Sequence, residues 1–338
     1  MKTLAFFNDK SGVGKTSLVY HLAWMFAEIG IRVIAADLDP QANLTSLFLP
    51  DERLEELWPE TLHPQSLFGA IYPLKEGIGD VVAPHIEEIC DHIGLIVGDL
   101  QLAQFEGDLS DVWPKCMDSD SRAFRVISSF YRVLDLAAEQ YQAELVLVDV
   151  GPNLGALNRA ALIASDLVAV PLAPDLFSLQ GLRNLGPSLR SWREGWGKRL
   201  GMAPDRSLNL PRGEMQPIGY IATQHAVRQD RPTLAYNRWM DRIPGEYRRA
   251  VLGGHDEIAI SIDQDPNRLA QLKHYRSLMP MAMEAHKPMF LLKPADGAIG
   301  AHTQAVLNCY RDFKQLAIRL IERSGVRLPE ADLFDLAR

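Results

Sequence analysis

One segment limits the architecture more than any other. An apolar run, Thr3–Phe7, leads directly into Asn8-Asp9-Lys10-Ser11-Gly12-Val13-Gly14-Lys15-Thr16-Ser17. Leu18, Leu22, Ala23 and Phe26 then recur at helical spacing as far as Gly30. A strand that passes through small residues straight into a helix can turn its backbone N–H groups inward around an anion. The helix N-terminus adds positive potential at the same place. Lys15 can then reach the β- and γ-phosphates of a nucleotide, and the Thr16 hydroxyl suits Mg²⁺.

The rest of the chain repeats the alternation. Arg32–Ala36, Ile93–Val97, Glu144–Val148, Leu167–Val170 and Pro217–Ala222 are short apolar runs separated by helix-period segments. Continuous apolar character fits strands covered on both faces, so the predicted fold class is α/β: a doubly wound, mainly parallel sheet flanked by helices. Two stretches break the rhythm. Residues 46–92 are rich in proline and acid and read as loops and short helices, and residues 200–276 carry Pro204, Pro211, Pro232, Pro244 and Gly253-Gly254. The reading is one domain over 1–338 with these two elaborations. Cys90, Cys116 and Cys309 are too few and too scattered for a disulfide framework or a metal cluster. No apolar run approaches the roughly 20 residues of a membrane span, and the N-terminus has no secretory pattern, so a cytoplasmic location is expected.

Carboxylates end two of the strands. Asp37-Leu38-Asp39-Pro40-Gln41-Ala42-Asn43 follows the second strand, and Leu145-Val146-Leu147-Val148-Asp149 is an apolar strand closing on an acid. Such groups can orient water or organise a metal shell where phosphoryl transfer needs positioning more than covalent chemistry. Helix-capping aspartates are the plainer reading. The strict pattern G-x-x-x-x-G-K-[ST] is not met, because Asp9 stands at its first glycine.

With these motifs in view, the chain resembles the ParA/MinD superfamily of P-loop ATPases, most closely its ParA branch. Residues 10–16 are similar to the deviant Walker A motif K-G-G-x-G-K-[ST], with Ser11 departing from the first glycine. Residues 37–43 look like D-x-D-P-Q-x-N, and Asp149 through Gly155 like D-x-x-P-x-x-G. The resemblance implies ATP on Lys10, Ser11, Gly12, Val13, Gly14, Lys15, Thr16 and Ser17, with Mg²⁺ near Thr16, Asp37 and Asp149. It further implies Lys10, Lys15 and Asp39 as the catalytic set, Lys10 contacting nucleotide across an ATP-dependent homodimer whose hydrolysis is stimulated by another protein. Thr223 and Gln224, after a strand, are candidates for the adenine.

Charge is unevenly placed. The net of −8 combines −15 over residues 1–182 with +6 over 183–276 and +1 over the rest. The basic stretch reads either as solvated helix faces or as a patch for non-specific DNA. Arg190, Arg193, Lys198, Arg199, Arg228, Arg231, Arg248 and Arg249 are its candidates, while Trp192 and Trp196 suit packing better than base stacking. Phe313, Leu316, Ala317, Leu320 and Ile321 form a stripe expected to face a core, and the acidic end 330–336 does not suit anionic lipid. The expected function is a ParA-type switch for DNA partition or cargo positioning. The alternative is a metabolic enzyme, similar to dethiobiotin synthetase, that uses ATP to activate a small molecule.

Overall fold

The computed structural model describes residues 1–205, 207–223, 234–254, 260–275 and 277–327. Gln224, Arg228, Arg231 and the acidic end at 330–336 lie outside them. Eight strands form one sheet: β1 (Lys2–Phe6), β2 (Val33–Asp37), β3 (Glu87–Cys90), β4 (Ile93–Ile96), β5 (Leu145–Asp149), β6 (Leu167–Leu172), β7 (Gln216–Thr223) and β8 (Arg268–Leu272). Their order is β3-β4-β2-β5-β1-β6-β7-β8. Every pairing is parallel except β3 against β4.

The central strands are buried along their whole length because helices cover both faces. On one face Phe68, Phe105, Phe130, Leu182 and Trp196 build the core. On the other, Leu18, Leu22 and Phe26 of the first helix (Lys15–Glu28) meet Phe313, Leu316 and Leu320 of the last (Ala301–Ser324). Each such fully buried Leu or Phe contributes about 2 kcal/mol. The apolar stripe at 313–321 therefore faces a core, as expected. No helix among the described residues is long and apolar enough to cross a membrane.

Two edge strands escaped the sequence reading because each lies inside a supposed elaboration. β3, Glu-Glu-Ile-Cys, is paired on one side only and half exposed, and it meets β4 across a bulge. β8 carries Arg268 and Gln271, so it lacks the apolar run of a doubly covered strand. The 46–92 stretch otherwise folds as expected into short helices, Asp51–Leu57 and Leu67–Lys75 among them. Register brings the site together: Phe6 and Asp37 both lie opposite Asp149. The loop after β1, the turn after β2 and the end of β5 thus share one rim of the sheet.

Candidate nucleotide site

Residues 7–17 are fixed to that rim from below. Phe7 N–H donates to the Ala169 carbonyl at 3.0 Å, and the Asn8 amide to Pro171 at 2.7 Å. Gly12 and Gly14 have φ of +72° and +86°, and a Cβ at either would meet nothing within 4 Å. Backbone conformation, not crowding, demands glycine there, and space remains in front of the loop. Val13 is buried, whereas Ser11 and Gly12 are exposed. Lys15 is buried at the start of the helix, and its ammonium donates to the carbonyls of Asn8 and Lys10, both at 3.1 Å. Burial lowers its pKa, and the negative charges of Asp149, Asp39 and Asp9 oppose that shift.

The three strand-end carboxylates are not equivalent. Asp37 is committed to structure: its Oδ2 accepts from Thr45 N–H (2.9 Å) and the Thr45 hydroxyl (2.8 Å), its Oδ1 from Asp39 N–H (3.3 Å). Gly98 packs so close that a Cβ would lie 2.7 Å from Asp37 Cγ. Asp39 accepts from Gln41 N–H at 3.0 Å and faces Gly151, in the loop after β5. Asp149 is completely buried, and neither of its oxygens has a hydrogen-bond partner of ordinary geometry. Burial, then the charge of Asp37, drive its carboxyl well above the usual range, with the Thr16 hydroxyl pulling the other way. An orphaned buried carboxylate beside a hydroxyl supplies oxygen ligands of the kind a hard cation takes. Among the described residues no cluster of three or more His, Cys, Asp or Glu could hold a metal alone. That accords with Mg²⁺ held by one or two side chains and substrate phosphates.

Lys10 points to its own chain. Its ammonium is paired with Asp175, which also accepts from Ser178 N–H and so caps the long helix Leu176–Leu200. Leu176 and Phe177 are exposed beside it, Phe177 at 72%. A cavity of about 210 Å³ opens on the other side of the loop, where Gly14, Ser17 and Leu18 face Thr223, Leu272 and Tyr275. Thr223 donates to the Leu172 carbonyl at 3.1 Å.

Sequence reasoning missed three supports. Asp175 follows the capping pattern Asp-x-x-Ser and was in principle legible. Glu106 accepts from the N–H groups of Ala156 (2.6 Å) and Leu157 (2.7 Å), capping the helix after the Asp149 loop from fifty residues away. The 272–275 wall comes from an unpredicted strand.

The basic candidates are mostly consumed by the fold. Arg190 donates to Ala250 and Val251, Arg193 to Glu214 and Met215, and Arg199 to Trp113 and Gly195, all to backbone carbonyls. Arg249 pairs with Glu246. Lys198 is exposed and Arg248 half-buried. Trp196 is fully buried with its N–H on Pro211, as packing requires. Trp113 lies between the guanidiniums of Arg159 (4.2 Å) and Arg199 (3.9 Å).

Fold and rim together define a phosphate-loop α/β protein with strand-end carboxylates gathered beside the loop. A family model described as an AAA domain matches residues 1–201. The chain belongs to this family and is homologous to ParA- and Soj-type proteins. It is 32% identical to Protein IncC of Escherichia coli over 208 residues, covering 61% of this chain and 51% of that one. To the sporulation initiation inhibitor protein Soj of Bacillus subtilis it is 30% identical over 190 residues, 56% of this chain and 65% of Soj. The chain thus spans about half to two thirds of the length of these relatives. A solved structure of a putative plasmid partition protein from Borrelia burgdorferi B31, bound to AMPPNP, superposes with a TM-score of 0.58 at 16% identity. That match covers 95% of this chain and 98% of the other, and it shows the fold.

Proposed function

We propose that the chain is one ATPase domain with two elaborations, an ATP-dependent dimerising switch used in DNA partition or cargo positioning. The observation that carries this reading is Asp149, buried at the end of β5 with both oxygens unpartnered and Lys15 and Thr16 beside it. In this reading ATP lies over Gly12–Thr16, with its base in the cavity between Leu18 and Tyr275. Lys15 exchanges the Asn8 and Lys10 carbonyls for phosphate oxygens. Thr16 and Asp149 would hold Mg²⁺, which would supply neutralising charge to the phosphates. Asp37 braces Asp149 from the adjacent strand by fixing Thr45. Asp39, held by Gln41 N–H against Gly151, orients the water that cleaves ATP to ADP and phosphate. Lys10 exchanges Asp175 for the nucleotide of a second copy, and the exposed Leu154, Leu176 and Phe177 on the same rim supply apolar contact. The relative named as a virulence plasmid ParA family protein supports this reading, and the AMPPNP-bound structure supports the fold it requires.

The test is binding of the purified protein to non-specific duplex DNA with ATP, ADP or neither, at several salt concentrations, with mass measured in each state. ATP-selective, salt-sensitive binding by a dimer is expected. Dimerisation without DNA binding would redirect the search to a protein cargo. Absence of both responses would overturn the switch and leave the small-molecule-activating enzyme. Asp39→Ala should lower turnover at least about a hundredfold while ATP binding persists.

A further inference from the structure

Asp9, where the strict loop pattern has glycine, is engaged. Asn184 Nδ2 donates to its Oδ2 at 3.2 Å. The long helix approaches so closely here that a Cβ on Gly181 would lie 2.5 Å from Asp9 Oδ1 and 2.9 Å from Asn8 Oδ1. Gly181 and Asn184, three residues apart, share one helix face. At the N-cap of the same helix Asp175 takes the Lys10 ammonium. Residues 8–10 are therefore laid along the first three turns of the helix. Those residues also supply the two carbonyls that hold Lys15, one on each side of Asp9.

We propose that Asp9 is a positioning residue: through Asn184 it clasps the start of the phosphate loop to the long helix. This keeps the Asn8 and Lys10 carbonyls aimed at Lys15 before nucleotide arrives. A loop already held does not have to be ordered on binding, so the clasp acts on nucleotide affinity more than on the chemical step. Glycine at position 9 could not make the contact, and alanine at 181 would leave it no room. The proposal rests on reading the loop as an ATP site.

Four variants test it: Asn184→Ala, Asn184→Asp, Asp9→Asn, and the exchange Asp9→Asn/Asn184→Asp, which restores one amide–carboxylate hydrogen bond across the same gap. KM for ATP, kcat and melting temperature are measured for each. Asn184→Ala should raise KM about three- to tenfold, the worth of one solvent-exposed hydrogen bond, with kcat within about twofold. Asn184→Asp, which sets two carboxylates together, should exceed it, and the exchange should recover most of the loss. A fall in melting temperature with KM unchanged would make the contact merely structural and overturn the proposal. So would an exchange no better than Asn184→Asp. If the unaltered protein bound no ATP, the ATP-site reading itself would fall; failure of the exchange alone removes the clasp and leaves that reading standing.

Discussion

Asp149 carries a cost in the nucleotide-free protein that its neighbours do not relieve. Its oxygens are unpartnered, and the Asp37 carboxyl opposite it is itself raised to about 7, by burial first and with the charge of Asp39 adding. Removing that charge should stabilise the fold while destroying the site. Asp149→Asn is expected to raise the melting temperature of the nucleotide-free protein by about 2 °C or more, the equivalent of about 1 kcal/mol in a chain of this size. It should also lower Mg²⁺-dependent turnover at least about a hundredfold. The pair sets a pH dependence of matching sign. A carboxyl raised on folding makes the native state bind protons that the unfolded chain has released. Stability is then lost as pH climbs from the ordinary carboxylate range through about 7. Urea unfolding without nucleotide should show a lower midpoint at about pH 8 than at about pH 5.5. Much at this scale was readable in advance. Lys15, Thr16, Asp39 and Asp149 fall where strand-end carboxylates and a glycine loop predict. Asp37 was legible as an acid, but not its commitment to Thr45 and Gly98, because that depends on a contact across the sheet.

Within single elements, the long helix Leu176–Leu200 joins the phosphate loop to the segment at 243–251. Asn184 meets Asp9, and the adjacent Arg183 holds the buried Glu246 with two hydrogen bonds, at 2.7 and 3.0 Å. One turn on, Gly186 lies so near the chain that a Cβ would stand 1.8 Å from the Ala250 carbonyl oxygen. Gly197, in the same helix, has nothing within 4 Å of that position. Two identical substitutions should therefore differ in sign. Gly186→Ala is expected to destabilise by about 3 kcal/mol, an overpacking cost against rigid backbone. Gly197→Ala should stabilise by about 0.5–1 kcal/mol through helix propensity alone. Urea midpoints of the two variants decide it. Apolar runs announced the central strands. They could not announce β3 or β8, whose polar, singly covered residues resemble loop, nor which of the ten glycines in 181–254 is wedged against a neighbour. How the arginines are engaged was hidden for a related reason: composition counts charge, whereas Arg190, Arg193 and Arg199 place donors on backbone carbonyls.

For the molecule as a whole, everything assigned to the site gathers on one rim of the sheet, and the elements that buttress that rim come from distant sequence. Glu106 grips the helix after the Asp149 loop, and its own helix, Phe105–Lys115, carries Trp113. Arg159 presses on that indole from the helix it caps, and Arg199 presses from the end of the long helix that meets Asp9 and Lys10. The two arms nearest the nucleotide thus converge on a single chromophore. Guanidinium charge at van der Waals distance shifts and quenches indole emission, so a change in either arm should write itself into Trp113 fluorescence. Of the six tryptophans, this one is expected to change its emission when ATP is added to the protein, a change read without a label by subtracting the spectrum of Trp113→Phe.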